Sequence, residues 1–126
     1  MQRLDGYKIL IVDDDIDILE SMDLAMRAVG AQTVTAADGT AAVAACLASE
    51  PDAVILDMML PKRSGFLVLE ELIAMPKPPI IVMVTANEGK RHMVYAKSLG
   101  VAAYLIKPVG LDRLIDTIFT LLQDQN

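Results

Sequence analysis

The sequence has one cysteine, one histidine and no tryptophan. Cys46 has no partner for an internal disulfide, and one thiol with one imidazole, His92, cannot assemble the ligand set of a structural zinc site. Any metal bound here must be held by oxygen. Basic residues are also scarce: 11 Lys and Arg against 17 Asp and Glu leave a net charge of −6 and a pI near 4.6. Direct binding to a nucleic-acid backbone relies on clustered cations, so that balance argues against it for this chain. The opening MQRLDGYKILIVDDD breaks into acids before a leader or a membrane span could be completed. A reducing, cytoplasmic setting is expected, with no membrane partner. No G-x-G-x-x-G or P-loop pattern is present to cradle a nucleotide phosphate.

What is present is a hydrophobic fraction of 54% in 126 residues, enough for one packed core, and one domain over 1–126 is expected. Short apolar runs rich in β-branched residues recur at Ile9–Val12, Val54–Leu56 and Ile80–Val84, and they read as buried parallel strands. Weaker runs at Gln32–Ala36 and Ala103–Ile106 each follow a glycine, Gly30 and Gly100, as when a helix ends and a strand begins. Helical spacing fills the gaps. Ile16, Leu19, Met22, Met26 and Val29 form one stripe, and Leu111, Leu114, Ile115, Ile118, Leu121 and Leu122 another, with Glu20, Asp112 and Asp116 left to solvent. Ser64-Gly65 opens a third helix that ends before Met75-Pro76, and Thr40–Ala48 and Glu88–Leu99 complete the set. Five alternations of strand and helix, joined by right-handed crossovers, predict an α/β fold: a parallel sheet with helices on both faces.

In such sheets the site lies beyond the carboxyl ends of the strands. The first strand ends in Asp13-Asp14-Asp15, the third in Asp57, the fourth in Thr85-Ala86 and the fifth in Lys107-Pro108, all at one rim. Taken singly, each has an ordinary explanation: an acid between strand and helix is most often an N-cap, and a lone lysine a solvated loop charge. Their coincidence is the signal. Converging carboxylates repel unless a cation or Lys107 offsets them, and Mg²⁺ suits oxygen ligands that join one or two carboxylates to a phosphate. A carboxylate is also a nucleophile toward phosphoryl groups. Asp57 is then the nucleophile, Lys107 and the metal neutralise charge, and Thr85 supplies a hydroxyl.

From ILIVDDD through VILDMMLPKRSG and VMVTA to AAYLIKP, nearly the whole chain resembles the receiver domain of two-component response regulators, similar to the chemotaxis regulators. The resemblance implies a flavodoxin-like (βα)5 sheet, doubly wound, with strand order 2-1-3-4-5. It implies that Asp57 accepts a phosphoryl group from a histidine kinase or phosphotransfer protein. Mg²⁺, with Mn²⁺ as a substitute, would be held by Asp13, Asp14, Asp57 and the backbone carbonyl of Met59. Thr85 would turn toward the phosphoryl group, Lys107 would pair with it, Tyr104 would be the switch aromatic, and Lys107-Pro108 would be cis. Met59 and Asn87 occupy the positions where the family varies phosphoryl lifetime, and Pro61 and Gly65 match its loop after the acceptor. The switched face would be the fourth helix, fifth strand and fifth helix, read by a downstream effector or a missing output domain, with a phosphorylation-dependent dimer as a further expectation. A few residues follow the fifth helix, so the expected form is a stand-alone regulator, with an excised receiver as the alternative.

A rival reading is a phosphatase of the haloacid dehalogenase type, in which Asp13 is the nucleophile and Asp15 the acid/base. No later apolar strand ending in paired acids supports it, and Asp57 would have no role. His92 is expected to be an ordinary surface side chain, Cys46 a small packed hydrophobe, most methionines core filler, and Lys90, Arg91 and Lys97 a solvated helix face.

Overall fold

The computed structural model describes residues 2–86 and 89–125. Its elements alternate throughout: β1 (Lys8–Val12), α1 (Ile16–Ala28), β2 (Gln32–Ala36), α2 (Gly39–Ser49), β3 (Ala53–Leu56), α3 (Gly65–Ile73), β4 (Ile80–Thr85), α4 (Lys90–Leu99), β5 (Ala103–Ile106) and α5 (Leu111–Gln123). The strands form one parallel sheet in the order β2-β1-β3-β4-β5, the flavodoxin-like arrangement expected.

Successive strand residues point to opposite faces, so the sheet divides the interior into two cores. Ile9, Ile11, Ile55, Val82 and Val84 join Leu19, Met22 and Met26 of α1 and Leu114, Ile118 and Leu122 of α5 on one side. Leu10, Val12, Val54, Leu56, Ile81 and Met83 join Ala42 and Cys46 of α2, Val68, Leu69 and Leu72 of α3, and Ala96 of α4 on the other. Both faces of β1, β3 and β4 are covered, which is why those strands read as unbroken apolar runs. Leu4, ahead of the first strand, is fully buried in the first core, and its amide donates to Val29 O at 2.8 Å.

Helix ends follow local chemistry. The carboxylates of Asp15 and Asp38 and the hydroxyl of Ser64 accept amide hydrogen bonds at the starts of α1, α2 and α3. Gly30 and Gly100 take φ of 99° and 108° after α1 and α4, a left-handed turn that costs glycine little. Two members of the expected stripes lie outside the core: Ile16 and Leu111 are 53% and 38% exposed. Each is the first residue of its helix, at the rim and beyond the reach of the sheet. Cys46 is buried as expected, and desolvation pushes its thiol pKa up, away from thiolate reactivity.

Candidate functional site

The parallel register brings the strand ends level. Asp13 N–H donates to Ala36 O at 3.2 Å and Asp57 N–H to Val12 O at 3.1 Å, so the ladder holds both aspartates one step past β1 and β3. Among the described residues, the buried polar or charged side chains are Asp13, Asp57 and Thr85, at 1%, 5% and 0% exposure. All three stand at this rim, and ionised groups are rarely buried without compensation.

Compensation comes from two sources. Each carboxylate is gripped at Oδ1 by the amide two residues on: Asp15 N–H to Asp13 at 2.9 Å, and Met59 N–H to Asp57 at 3.1 Å. These short-range turns orient the acids before any ligand arrives. The Oδ2 atoms meet Lys107, whose Nζ donates to Asp13 at 2.7 Å and to Asp57 at 2.9 Å. Lys107 is delivered by β5, which pairs with β4, and its own amide donates to Thr85 O at 2.9 Å. Burial alone would lower its pKa, but the hydrogen bonds to Asp13 and Asp57 and their charges outweigh it and hold the ammonium above the ordinary lysine value.

Asp14 is exposed beside this pair. One carboxylate oxygen each from Asp13, Asp14 and Asp57 lies within 4.8 Å of the others, a separation that could hold a metal ion. The all-oxygen donor set and the excess negative charge fit Mg²⁺. Met58 is buried and Met59 is 63% exposed at the mouth. Tyr104 is half-buried on β5 opposite Met83 of β4, and its phenol pKa is raised first by burial and then by the Asp57 charge. The Lys107–Pro108 peptide is cis. Asn87 lies outside the described residues.

Asp15 does not share the acid site. Its Oδ1 accepts from Asp17 N at 3.0 Å and Ile18 N at 3.3 Å and is the N-cap of α1. The phosphatase reading needs that carboxylate free as an acid/base, and the arrangement does not favour it. Sequence reasoning missed the backbone amides of Asp15 and Met59 as anchors, although two adjacent strand-end Asp-x-x turns could have indicated them. It also missed the contact of Gly39 with the loop after Asp57. A Cβ at Gly39 would collide with the Arg63 carbonyl, and Gly39 N–H donates to Pro61 O at 3.2 Å. His92, Lys90, Arg91 and Lys97 are exposed on α4, as expected.

The response regulator receiver domain family model matches residues 9–119. Among curated relatives, the probable transcriptional regulatory protein TcrX of Mycobacterium tuberculosis is 32% identical over 125 residues, covering 98% of this chain and 53% of that protein. The DNA-binding response regulator MtrA of Mycolicibacterium paratuberculosis is 38% identical over 108 residues, covering 86% and 48%. The chain thus spans about half the length of these curated relatives. A CheY-like response regulator receiver domain protein from Methanospirillum hungatei JF-1 superposes with a TM-score of 0.91 at 29% identity, covering 97% of this chain and 96% of that one. Because the family match runs from β1 to Phe119 within α5, taking in every strand end that carries the site, the chain belongs to the response regulator receiver domain family.

Proposed function

We propose that residues 1–126 act as one receiver domain, in which Asp57 accepts a phosphoryl group from the phosphohistidine of a partner kinase or phosphotransfer protein. The observation that carries this reading is the Lys107 ammonium shared between Asp13 and Asp57 at 2.7 and 2.9 Å, within a group of three carboxylates suited to a divalent cation. A carboxylate oxygen of Asp57 attacks phosphorus, the N–P bond of the donor breaks, and the imidazole leaves with the electron pair. Asp57 is held for this by its Oδ1 bond to the Met59 amide, which fixes the side-chain rotamer. Lys107 already sits where negative charge accumulates and passes from the carboxylate to a phosphoryl oxygen. Asp13, Asp14, Asp57 and the Met59 carbonyl would hold Mg²⁺, which when bound neutralises charge on the phosphoryl oxygens.

Output follows from two residues behind the acceptor. Thr85 turns its hydroxyl toward the phosphoryl group and Tyr104 moves inward behind it, altering the face of α4, β5 and α5. That face is read by an effector protein or an output domain, or pairs with a second copy. The names of TcrX and MtrA as regulators of transcription or DNA-binding proteins support an output in gene control, with the DNA contact made outside this acidic domain. The test is intact-mass measurement of wild type and Asp57→Asn after treatment with a small phosphodonor and Mg²⁺. Wild type should gain one hydroxylamine-labile phosphoryl group and Asp57→Asn none. Label that survives in Asp57→Asn but disappears in Asp13→Asn would transfer the nucleophile to Asp13.

A further inference from the structure

Between α3 and α4 lies an aromatic cluster that the acid site does not use. The Phe66 ring meets the Tyr95 ring edge-on at 5.2 Å between centroids and the His92 ring at 5.7 Å, both from α4. Tyr95 Oη donates to Glu70 Oε1 at 2.8 Å, one turn further along α3. That bond, and then the carboxylate charge, raise the phenol pKa and keep it a neutral donor.

α4 is only lightly anchored in the core. Ala96 is its one fully buried residue, Leu99 is partly buried against the second core, and Val94 and Tyr95 are 57% and 44% exposed. A ten-residue helix with so narrow a buried stripe is marginal by itself, so contacts at its edge contribute to its placement. The ring it leans on is tied to the acceptor. Gly65, the residue before Phe66, donates its amide to Met58 O at 2.8 Å, and a Cβ there would collide with the Asp57 carbonyl oxygen and the Met58 Cα. The main chain at Asp57 and the start of α3 are therefore in contact without slack.

We propose that Phe66 is a positioning residue through which the main chain at Asp57 sets the placement of α4, along a route on α3 separate from that through Thr85 and Tyr104. Displacement of the acceptor loop moves Gly65, and the Phe66 ring carries the movement to His92 and Tyr95, while the Tyr95–Glu70 bond keeps the helices in register. The signalling half of this inference rests on Asp57 being the phosphoacceptor. The static half, that α3 orders α4 through the clasp, does not.

Amide hydrogen exchange over Lys90–Leu99 tests both halves in wild type, Phe66→Leu, Phe66→Tyr and Tyr95→Leu, with and without Mg²⁺ and a small phosphodonor, with intact mass recorded in parallel. Without donor, Phe66→Leu and Tyr95→Leu should exchange about three- to tenfold faster over α4, the scale of a lost aromatic pair, and Phe66→Tyr should match wild type. With donor, Phe66→Leu should still take one phosphoryl group but lose most of the donor-dependent change over α4, while keeping the change around Tyr104. Loosening alone would raise the donor-free rate and leave the donor-dependent difference intact, which would overturn the transmission role. Unchanged donor-free exchange in both leucine variants would overturn the clasp itself. Should Phe66→Leu fail to fold, Tyr95→Leu, on an exposed helix face, decides by the same two criteria. If wild type takes no phosphoryl group, the function proposed above fails and the signalling half with it, while the donor-free arm still decides the clasp.

Discussion

Lys107 donates to Asp13 and Asp57 from one ammonium group, and removing it leaves two buried carboxylates facing each other. Lys107→Met should cost roughly 2–3 kcal/mol at neutral pH without metal, somewhat under the 3–5 kcal/mol of a fully buried broken pair because the lysine side chain keeps partial solvent access. Urea unfolding of both proteins measures it. Lys107 has a raised folded-state pKa, so its contribution is fully present below the ordinary lysine value of 10.5 and is lost as pH climbs through the higher folded value. The stability gap between wild type and Lys107→Met should therefore stay level from neutrality to that value and narrow above it. A gap that instead narrows between pH 7 and 9 would remove Lys107 from the ion pair. Met59 raises a kinetic question. Hydrolysis of an acyl phosphate needs water in line behind phosphorus, and Met59 sits exposed at the mouth with no good donor or acceptor to orient that water. Met59→Asn should shorten the phosphoryl lifetime, and Asn87→Ala should lengthen it or leave it unchanged, read from single-turnover loss of label at fixed Mg²⁺. A lifetime in Met59→Asn equal to wild type would show that shielding at this position does not set the rate.

At the level of elements, the start of α3 is packed tightly against the loop that carries Asp57. Gly65→Ala places a methyl group against the Asp57 carbonyl and the Met58 Cα, and should destabilise by roughly 1–3 kcal/mol, the usual cost of overpacking. Slower labelling of Asp57, the proposed acceptor, at a temperature where Gly65→Ala is fully folded would show that its carboxylate has been displaced as well. The proposed switch through Thr85 and Tyr104 should change amide chemical shifts over α4, β5 and α5 when a phosphoryl analogue binds, and changes confined to the loops around Asp57 would count against it. Element positions were legible in the sequence because β1, β3 and β4 are covered on both sides and leave unbroken apolar runs, and because Gly30, Ser64 and Gly100 mark boundaries by backbone chemistry. Periodicity misplaced Ile16 and Leu111, since it reports which face of a helix they share and carries nothing about where the sheet stops. The α3–α4 clasp left no sequence signal either: Phe66, Glu70, His92 and Tyr95 become neighbours only once two helices are packed.

For the molecule as a whole, the site joins residues far apart in the chain, Lys107 reaching across 94 positions to Asp13 and 50 to Asp57. Alternation of strands and helices was enough to predict this convergence, because every parallel strand ends at the same rim. Residue chemistry added that Lys107 would offset the acids and that an acid before a helix is most often its cap. Which oxygens Lys107 meets, and that Asp15 is the acid that caps α1, depend on rotamers and could not be read that way. Mg²⁺ should bind the folded state preferentially and add about 2.7 kcal/mol at a hundredfold excess over its Kd, seen as a higher melting midpoint. The rise should largely vanish in Asp14→Ala, and an undiminished rise would remove Asp14 from the metal site. The division of the interior by the sheet has a consequence for how damage spreads. Ile55 and Leu56 are covalent neighbours, yet one packs with α1 and α5 and the other with α2 and α3. Truncating both should lower stability by close to the sum of the separate losses, whereas pairing Ile55 with Ile11, 44 positions earlier but in the same core, should depart from additivity by about 0.5 kcal/mol or more. Energetic kinship in this protein therefore skips every second residue, and two half-interiors tolerate substitutions almost independently across a wall one backbone thick.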